Sequence, residues 1–243
     1  MISVTPFEEL GRFRNGWLDA HYHFSFADYH DPSKMGLGAL RVWNDDTIAP
    51  HSGFDPHPHR DMEIVTYVRT GAISHRDSLG QAGVTRAGDV QVMTAGTGIV
   101  HSEMNEEDGP TTLFQIWIFT DRRGHSPGWE TRQFPKEPVV GSLPVLASGR
   151  VGEDHALPIN QNAAVLGGRI AVGKSVVHAL GTGRGAYLVP TEGRVRVNGR
   201  AVETRGGVMV TDEEAITVEA LEAVEVVLVD TPLQPGLRTT AVG

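Results

Sequence analysis

The sequence predicts an all-β fold, and three observations carry that expectation. In 243 residues there are 29 Gly and 14 Pro, a composition that favours many turns and short strands over long helices. Short runs rich in Val, Ile, Thr and aromatic residues recur at close intervals, and glycines such as Gly71, Gly80, Gly83, Gly88, Gly96 and Gly98 separate them. Strands of this length at this spacing indicate a sandwich or a barrel.

Residues 36–48, GLGALRVWNDDTI, read as a strand closed by polar turn residues, and residues 63–70 and 113–120 read the same way. The stretch DRRGHSPGWETRQFPKEPVVGSLP, residues 121–144, is polar, Pro-rich and poorly periodic, which marks an interdomain connection. The expected division is a first barrel over residues 1–125, a linker over 126–144 and a second barrel over 145–243. Asn198-Gly199 in RVRVNGRAVET signals a tight hairpin, because both residues tolerate positive φ. No long helix is evident, although Pro6 to Leu10 can begin a short one. Tyr67 in YVRTGAI and Tyr187 in YLVPTEGRV each precede a hairpin followed by a Gly-led strand, GDVQVM and GGVMVT, which hints at two copies of one unit.

A formal charge of −9 with no basic stripe argues against direct nucleic-acid binding. With 0 Cys, disulfides and thiolate metal sites are excluded, so any metal must be held by nitrogen and oxygen. No segment approaches the roughly 18 apolar residues that span a bilayer, and the N-terminus lacks a basic region followed by an apolar core. The default expectations are no membrane contact and a cytoplasmic protein.

The histidines carry the chemistry. PHPHRD, residues 56–61, places His57 and His59 one residue apart at the head of an apolar run, where the pair fits either a solvated loop edge or half of a metal site. Side chains at i and i+2 share a strand face, so both imidazoles, with Asp61 and Glu63 if the strand is regular, look the same way. In GDVQVMTAGTGIVHSEMN, His101 and Glu103 repeat the spacing. If the two strands face each other, His57, His59, His101 and Glu103 converge as a nitrogen-rich site for a first-row transition ion. His21 and His23 have the same spacing with no second cluster, and His75 and Asp77 read as solvated turn residues. Trp43, Phe114 and Trp117 read as packing of the first barrel.

HPHRDMEIVTYV, HRDSLG, GDVQVMTAGTGIVHSE and NGWLDAHYHFSFADYHDP together resemble the pirin family, a branch of the cupins, and within it the bacterial quercetinase-like members. The resemblance implies a bicupin, two tandem β-barrels of jelly-roll type with few short helices and a metal in the first only. It places the ligands on His57, His59, His101 and Glu103. The equivalent region of the second barrel is degenerate, since counting back from Tyr187 lands on Val177 beside a lone His178. Many cupins take their carboxylate from the position held here by Glu63. That residue is expected to sit behind the ligands and orient an imidazole, or else to be a buried carboxylate satisfied by the backbone or Arg60.

The same resemblance implies a dioxygenase that cleaves a flavonol such as quercetin with O2, with Glu103 as proton acceptor. The cofactor would be one divalent transition ion, with Fe(II) favoured and Zn, Ni, Co, Mn or Cu also compatible with the donors. A second expectation is a metal-holding regulatory protein that acts on a protein partner, since members of the family have been linked to transcriptional regulation in that way. The residues alone leave both open.

Overall fold

A computed structural model of the chain describes residues 1–234, so positions 235–243 of the expected second barrel lie outside the described residues. Two pairs of facing sheets make up the fold. In the first half a seven-stranded sheet runs, in spatial order, β12 (Gly128–Arg132), β9 (Val90–Thr94), β6 (Met62–Thr70), β11 (Thr111–Phe119), β4 (Leu40–Ile48), β3 (Leu18–Tyr22) and β2 (Gly11–Arg14). Against it lie β5 (Ser52–His59), β10 (Ile99–Asn105), β7 (Ala72–Asp77) and β8 (Ala82–Arg86). The second half repeats the plan. Its large sheet runs β1 (Ile2–Thr5), β20 (Gly207–Thr211), β17 (Arg184–Glu192), β22 (Val224–Pro232), β15 (Ala164–Ile170), β13 (Val145–Ser148) and β14 (Leu157–Pro158). Its small sheet runs β16 (Ser175–Ala179), β21 (Ala215–Ala220), β18 (Val195–Val197) and β19 (Arg200–Val202). Each half is therefore two packed sheets, not a cylinder closed by hydrogen bonds.

The expected all-β, two-barrel organisation is seen, with local differences. Residues 2–5 pair with β20, so the first strand of the chain completes the second half's sheet. The stretch expected to be only a linker supplies β12, which extends the first half's large sheet by pairing with β9. Pro6 leads into a single 3-10 turn, Phe7–Glu9. Asn198 and Gly199 have φ of 44° and 86°, the left-handed pair that the tight β18–β19 hairpin requires. Among the described residues no helix is long and apolar enough to cross a membrane.

The internal echo is spatial. Tyr67 on β6 and Tyr187 on β17 occupy corresponding central strands, each paired with its Gly-led partner, β9 and β20. Both tyrosines point into one apolar layer between the two large sheets, where Val65, Phe114 and Ile116 meet Val165, Val189 and Val227. Trp43 belongs to this shared layer as well, 5.4 Å from Phe114 and 5.6 Å from Tyr187 between ring centroids. Trp43 and Phe114 thus join the halves and do not fill the first barrel, whereas Trp117 does point into the barrel. Polar ties reinforce the junction: the Tyr67 hydroxyl donates to Glu225 Oε1 at 2.6 Å, and Arg205 Nε donates to the buried Asp45 Oδ2 at 2.6 Å.

The interior of the first half is divided. One apolar cluster holds Leu18, Ile48, Val68, Ile73 and Leu113, and a second holds Val42, Met62, Ile64, Met93, Ile99 and Trp117. Other inward positions are polar, among them Gln91, Gln115, His101 and Glu103, all nearly inaccessible to solvent. By contrast, the second half's interior is a continuous set of Val, Leu, Ile and Ala.

Because Trp43 is fully buried at the junction, Trp43→Ala should lower unfolding free energy by about 3–5 kcal/mol in urea titrations. A loss below about 1 kcal/mol would show that the halves do not depend on this shared layer.

Candidate metal centre

Strand pairing brings the histidines together. β10 lies antiparallel to β5 with His101 opposite His57 and Ile99 opposite His59, and between His101 and Glu103 the register slips so that Glu103 faces Phe54. The extra residue falls on β5, where Pro56 has no N–H to lend to the ladder. His57, His59 and His101 each offer a ring nitrogen within 4.8 Å of the other two. Their centroids are 4.8 Å apart for His57 and His59, 4.5 Å for His57 and His101, and 5.0 Å for His59 and His101.

Burial suits two of these imidazoles to ligation. Burial first, and then the neighbouring imidazoles, lower His59 to about 4 and His101 to about 2, so both offer lone pairs at neutral pH. His57 Nδ1 lies 2.7 Å from the Asp55 carbonyl oxygen, which can only accept. The proton is therefore on Nδ1, and Nε2 is left as the ligating atom. Among the described residues, His101 Nε2 is buried without a hydrogen-bond partner. An orphaned buried ring nitrogen beside two further imidazoles fits a metal ion, and the nitrogen-rich, sulfur-free set suits a first-row transition ion. His57 and His59 are half-buried and leave the centre open on the β5 side, while the ring of Trp117 meets His59 edge-on at 5.0 Å.

Glu103 shares the inward face of β10 with His101 but is not part of the three-imidazole cluster in this conformation. Gln91 Nε2 donates to its Oε1 at 2.8 Å, and Gln115 Nε2 donates to its Oε2 at 2.7 Å. Burial pushes its carboxyl up to about 7, against the opposing effect of hydrogen bonds from Gln115, Thr66 and Gln91.

Glu63 is elsewhere. The sequence-based expectation assumed unbroken alternation from His59, but Asp61 adopts φ of 48°, and the chain turns before β6 begins. Glu63 consequently shares a face with Val65 and Tyr67, toward the second half, where Thr94 Oγ1 donates to it at 2.7 Å and Asn160 Nδ2 at 3.0 Å. Its hydrogen-bond partners are these two and not an imidazole or Arg60.

His75 and Asp77 are not solvated turn residues: both side chains are fully buried on β7. The reason is their position beside β10, with Asp77 opposite His101 and His75 opposite Glu103, a pairing that local turn signals do not reveal. His23 is a core residue with Nδ1 3.0 Å from the Tyr187 hydroxyl; its Nε2 is buried without a partner among the described residues but has no second imidazole cluster beside it, and the ring of His21 lies against Phe7. In the second half the lone His178 bonds through Nε2 to Asp230 Oδ2 at 2.6 Å, and Arg184 and Arg150 pair with the same carboxylate.

Comparison with known proteins agrees with this architecture. The family description Pirin matches residues 4–118, and that of a quercetinase C-terminal cupin domain matches residues 145–231. A pirin-like protein of Caulobacter vibrioides is 53% identical over 230 residues, covering 95% of this chain and 99% of its own. A quercetin 2,3-dioxygenase of Escherichia coli K12 is 39% identical over 233 residues, covering 96% and 99%. Among solved structures, the bacterial pirin YhhW of E. coli in complex with nickel(II) has a TM-score of 0.89 at 38% identity, covering 96% of this chain and 99% of that one.

The raised Glu103 carboxyl has a measurable consequence in the metal-free protein. The folded chain favours the protonated acid, so this group's stabilising effect is complete below the ordinary value of 4.5 and is lost as pH rises toward about 7. Glu103→Gln lacks this loss. Between pH 4.5 and 8 the variant should gain on the wild type by on the order of 3 kcal/mol in urea unfolding. A difference that does not change with pH would contradict the buried, amide-held carboxyl.

Proposed function

Because this chain belongs to the pirin family, we propose that its three-imidazole centre serves a metal-dependent dioxygenase that opens a flavonol such as quercetin with O2. The observation that carries this reading is the convergence of His57, His59 and His101 beside an aromatic wall, with one side left open. His57, His59 and His101 would hold one divalent transition ion with Glu103 as the fourth ligand, and Fe(II) is our choice over Ni(II), Co(II), Mn(II), Cu(II) or Zn(II). Such an ion, when bound, supplies Lewis acidity toward an enolic hydroxyl and redox capacity toward O2.

The chain's own residues have distinct tasks. Trp117, with Phe26 edge-on to it at 5.3 Å, offers an apolar aromatic surface next to His59, suited to a flat polyphenol. Glu103 accepts the proton of the flavonol 3-hydroxyl, a role matched by its carboxyl near 7 in the metal-free protein. Gln91 and Gln115 donate to that carboxylate through neutral amides, which support it without adding a charge of their own. The names of the relatives support the reaction class, and the aromatic surface beside His59 supports a flat aromatic substrate.

Protein loaded with Fe(II) under anaerobic conditions and then given quercetin and O2 should consume both together. His101→Ala should lose the activity, and Glu103→Gln should fall by about 10²–10⁴-fold. Turnover at the wild-type rate in His101→Ala would remove the centre from the chemistry.

A further inference from the structure

Behind His101 runs a chain of buried groups that the proposed reaction does not use. His101 Nδ1 lies 3.4 Å from His75 Nδ1, and His75 Nε2 lies 3.0 Å from Asp77 Oδ2. The other carboxylate oxygen, Asp77 Oδ1, accepts from the backbone N–H of Leu79 at 2.9 Å and of Gln81 at 3.0 Å. The His75 ring is stacked on Trp129 from β12, 4.7 Å between centroids and 3° from parallel. Gly83, opposite His75 on β8, makes room for that indole, since a Cβ there would come within 2.4 Å of Trp129 Cη2. The imidazole of His75 is thus clamped in plane between a carboxylate and a metal-ligand candidate.

Hydrogen-bond bookkeeping along this chain admits one neutral arrangement that satisfies every contact. An ionised Asp77 only accepts, so His75 Nε2 carries a proton and donates to it. A neutral His75 then has its lone pair on Nδ1, facing His101 Nδ1, which must carry the proton and donate. His101 Nε2 is left as a lone pair, and this is the atom buried without a partner on the side of His57 and His59. The reverse order would place a proton on His101 Nε2 with no acceptor, at the cost of an unsatisfied buried donor.

We propose that His75 and Asp77 are positioning residues for the metal centre: the Asp77–His75–His101 chain fixes His101 in the tautomer whose Nε2 can ligate. This rests on the assignment of His101 as a ligand in the proposed function. His57 reaches the same state by a different device, donating from Nδ1 to the Asp55 carbonyl. Partners behind a ligand that fix its tautomer and orientation are worth about 10–100-fold in metal affinity.

The decisive substitution is Asp77→Asn. Two backbone N–H groups already aim at Oδ1, so an asparagine keeps its carbonyl there and turns its amide N–H toward His75 Nε2. His75 must then accept at Nε2 and donate from Nδ1, which puts the proton of His101 on Nε2. The shape is unchanged while the tautomer is inverted. The experiment is 15N NMR of the full-length, histidine-labelled, metal-free protein, with Zn(II) affinity measured by competition against a chromophoric chelator.

The expected result is Nδ1–H with a bare Nε2 on His101 in the wild type, the reverse in Asp77→Asn, and a Zn(II) affinity about 10–100-fold weaker in the variant. A wild-type His101 protonated on Nε2, or an Asp77→Asn protein with unchanged tautomer and affinity, overturns the proposal. Should Asp77→Asn fail to fold, His75→Gln and His75→Leu decide. The glutamine oxygen can still accept from His101 Nδ1 and should largely preserve affinity, the leucine should lose it, and equal affinities overturn the proposal. A wild type that takes up no Zn(II) contradicts the metal centre itself, and the tautomer measurement still decides the relay.

Discussion

The antiparallel register that sets His101 opposite His57 is the constraint on which the rest depends. It joins two short sequence segments some forty residues apart, and the irregularity beside it lets β5 accommodate Pro56 while keeping His57 and His59 turned toward β10. Burial then makes the cluster tolerable, because desolvation favours the neutral, ligating forms of His59 and His101. An orphaned ring nitrogen is the residual expense of a site built for an ion.

The two halves share one design and differ in what occupies the interior. In the first, a band of Gln, Glu and His interrupts the apolar core. In the second the core is continuous, and the polar groups that remain are gathered into a buried ion cluster around Asp230 with His178, Arg150 and Arg184. Arg150 and Arg184 supply the positive charge that pairs with Asp230 there. The halves are tied by an aromatic and aliphatic layer including Trp43, Tyr67, Phe114 and Tyr187. β1 and β12 extend the two large sheets from segments whose sequence neighbours gave no strong sign of doing so.

Much of this was legible in the sequence. The all-β class, the duplication marked by Tyr67 and Tyr187, the Asn198-Gly199 hairpin and the three histidines follow from local patterns that the structure keeps, because turn chemistry and period-two alternation are local properties. What escaped was non-local or broke the period. Counting in twos places Glu63 with the imidazoles, whereas a single residue at positive φ, Asp61, reverses its face. His75 and Asp77 look like turn residues because Ser, Gly and Asp surround them, yet β10 covers them. The one local hint was their own i, i+2 spacing, the same as that of His57 and His59. The spacing of Glu103 from His101 points to a fourth ligand, whereas its capture by Gln91 and Gln115 involves strands whose approach no short motif encodes.

Equilibrium dialysis against Ni(II) of the wild type and of His57→Ala, His59→Ala and His101→Ala tests the central claim most directly. One ion per chain in the wild type, with uptake lost or severely weakened in each of the three variants, is the result the shared centre requires. Undiminished uptake in all three variants would show that these imidazoles do not hold the ion.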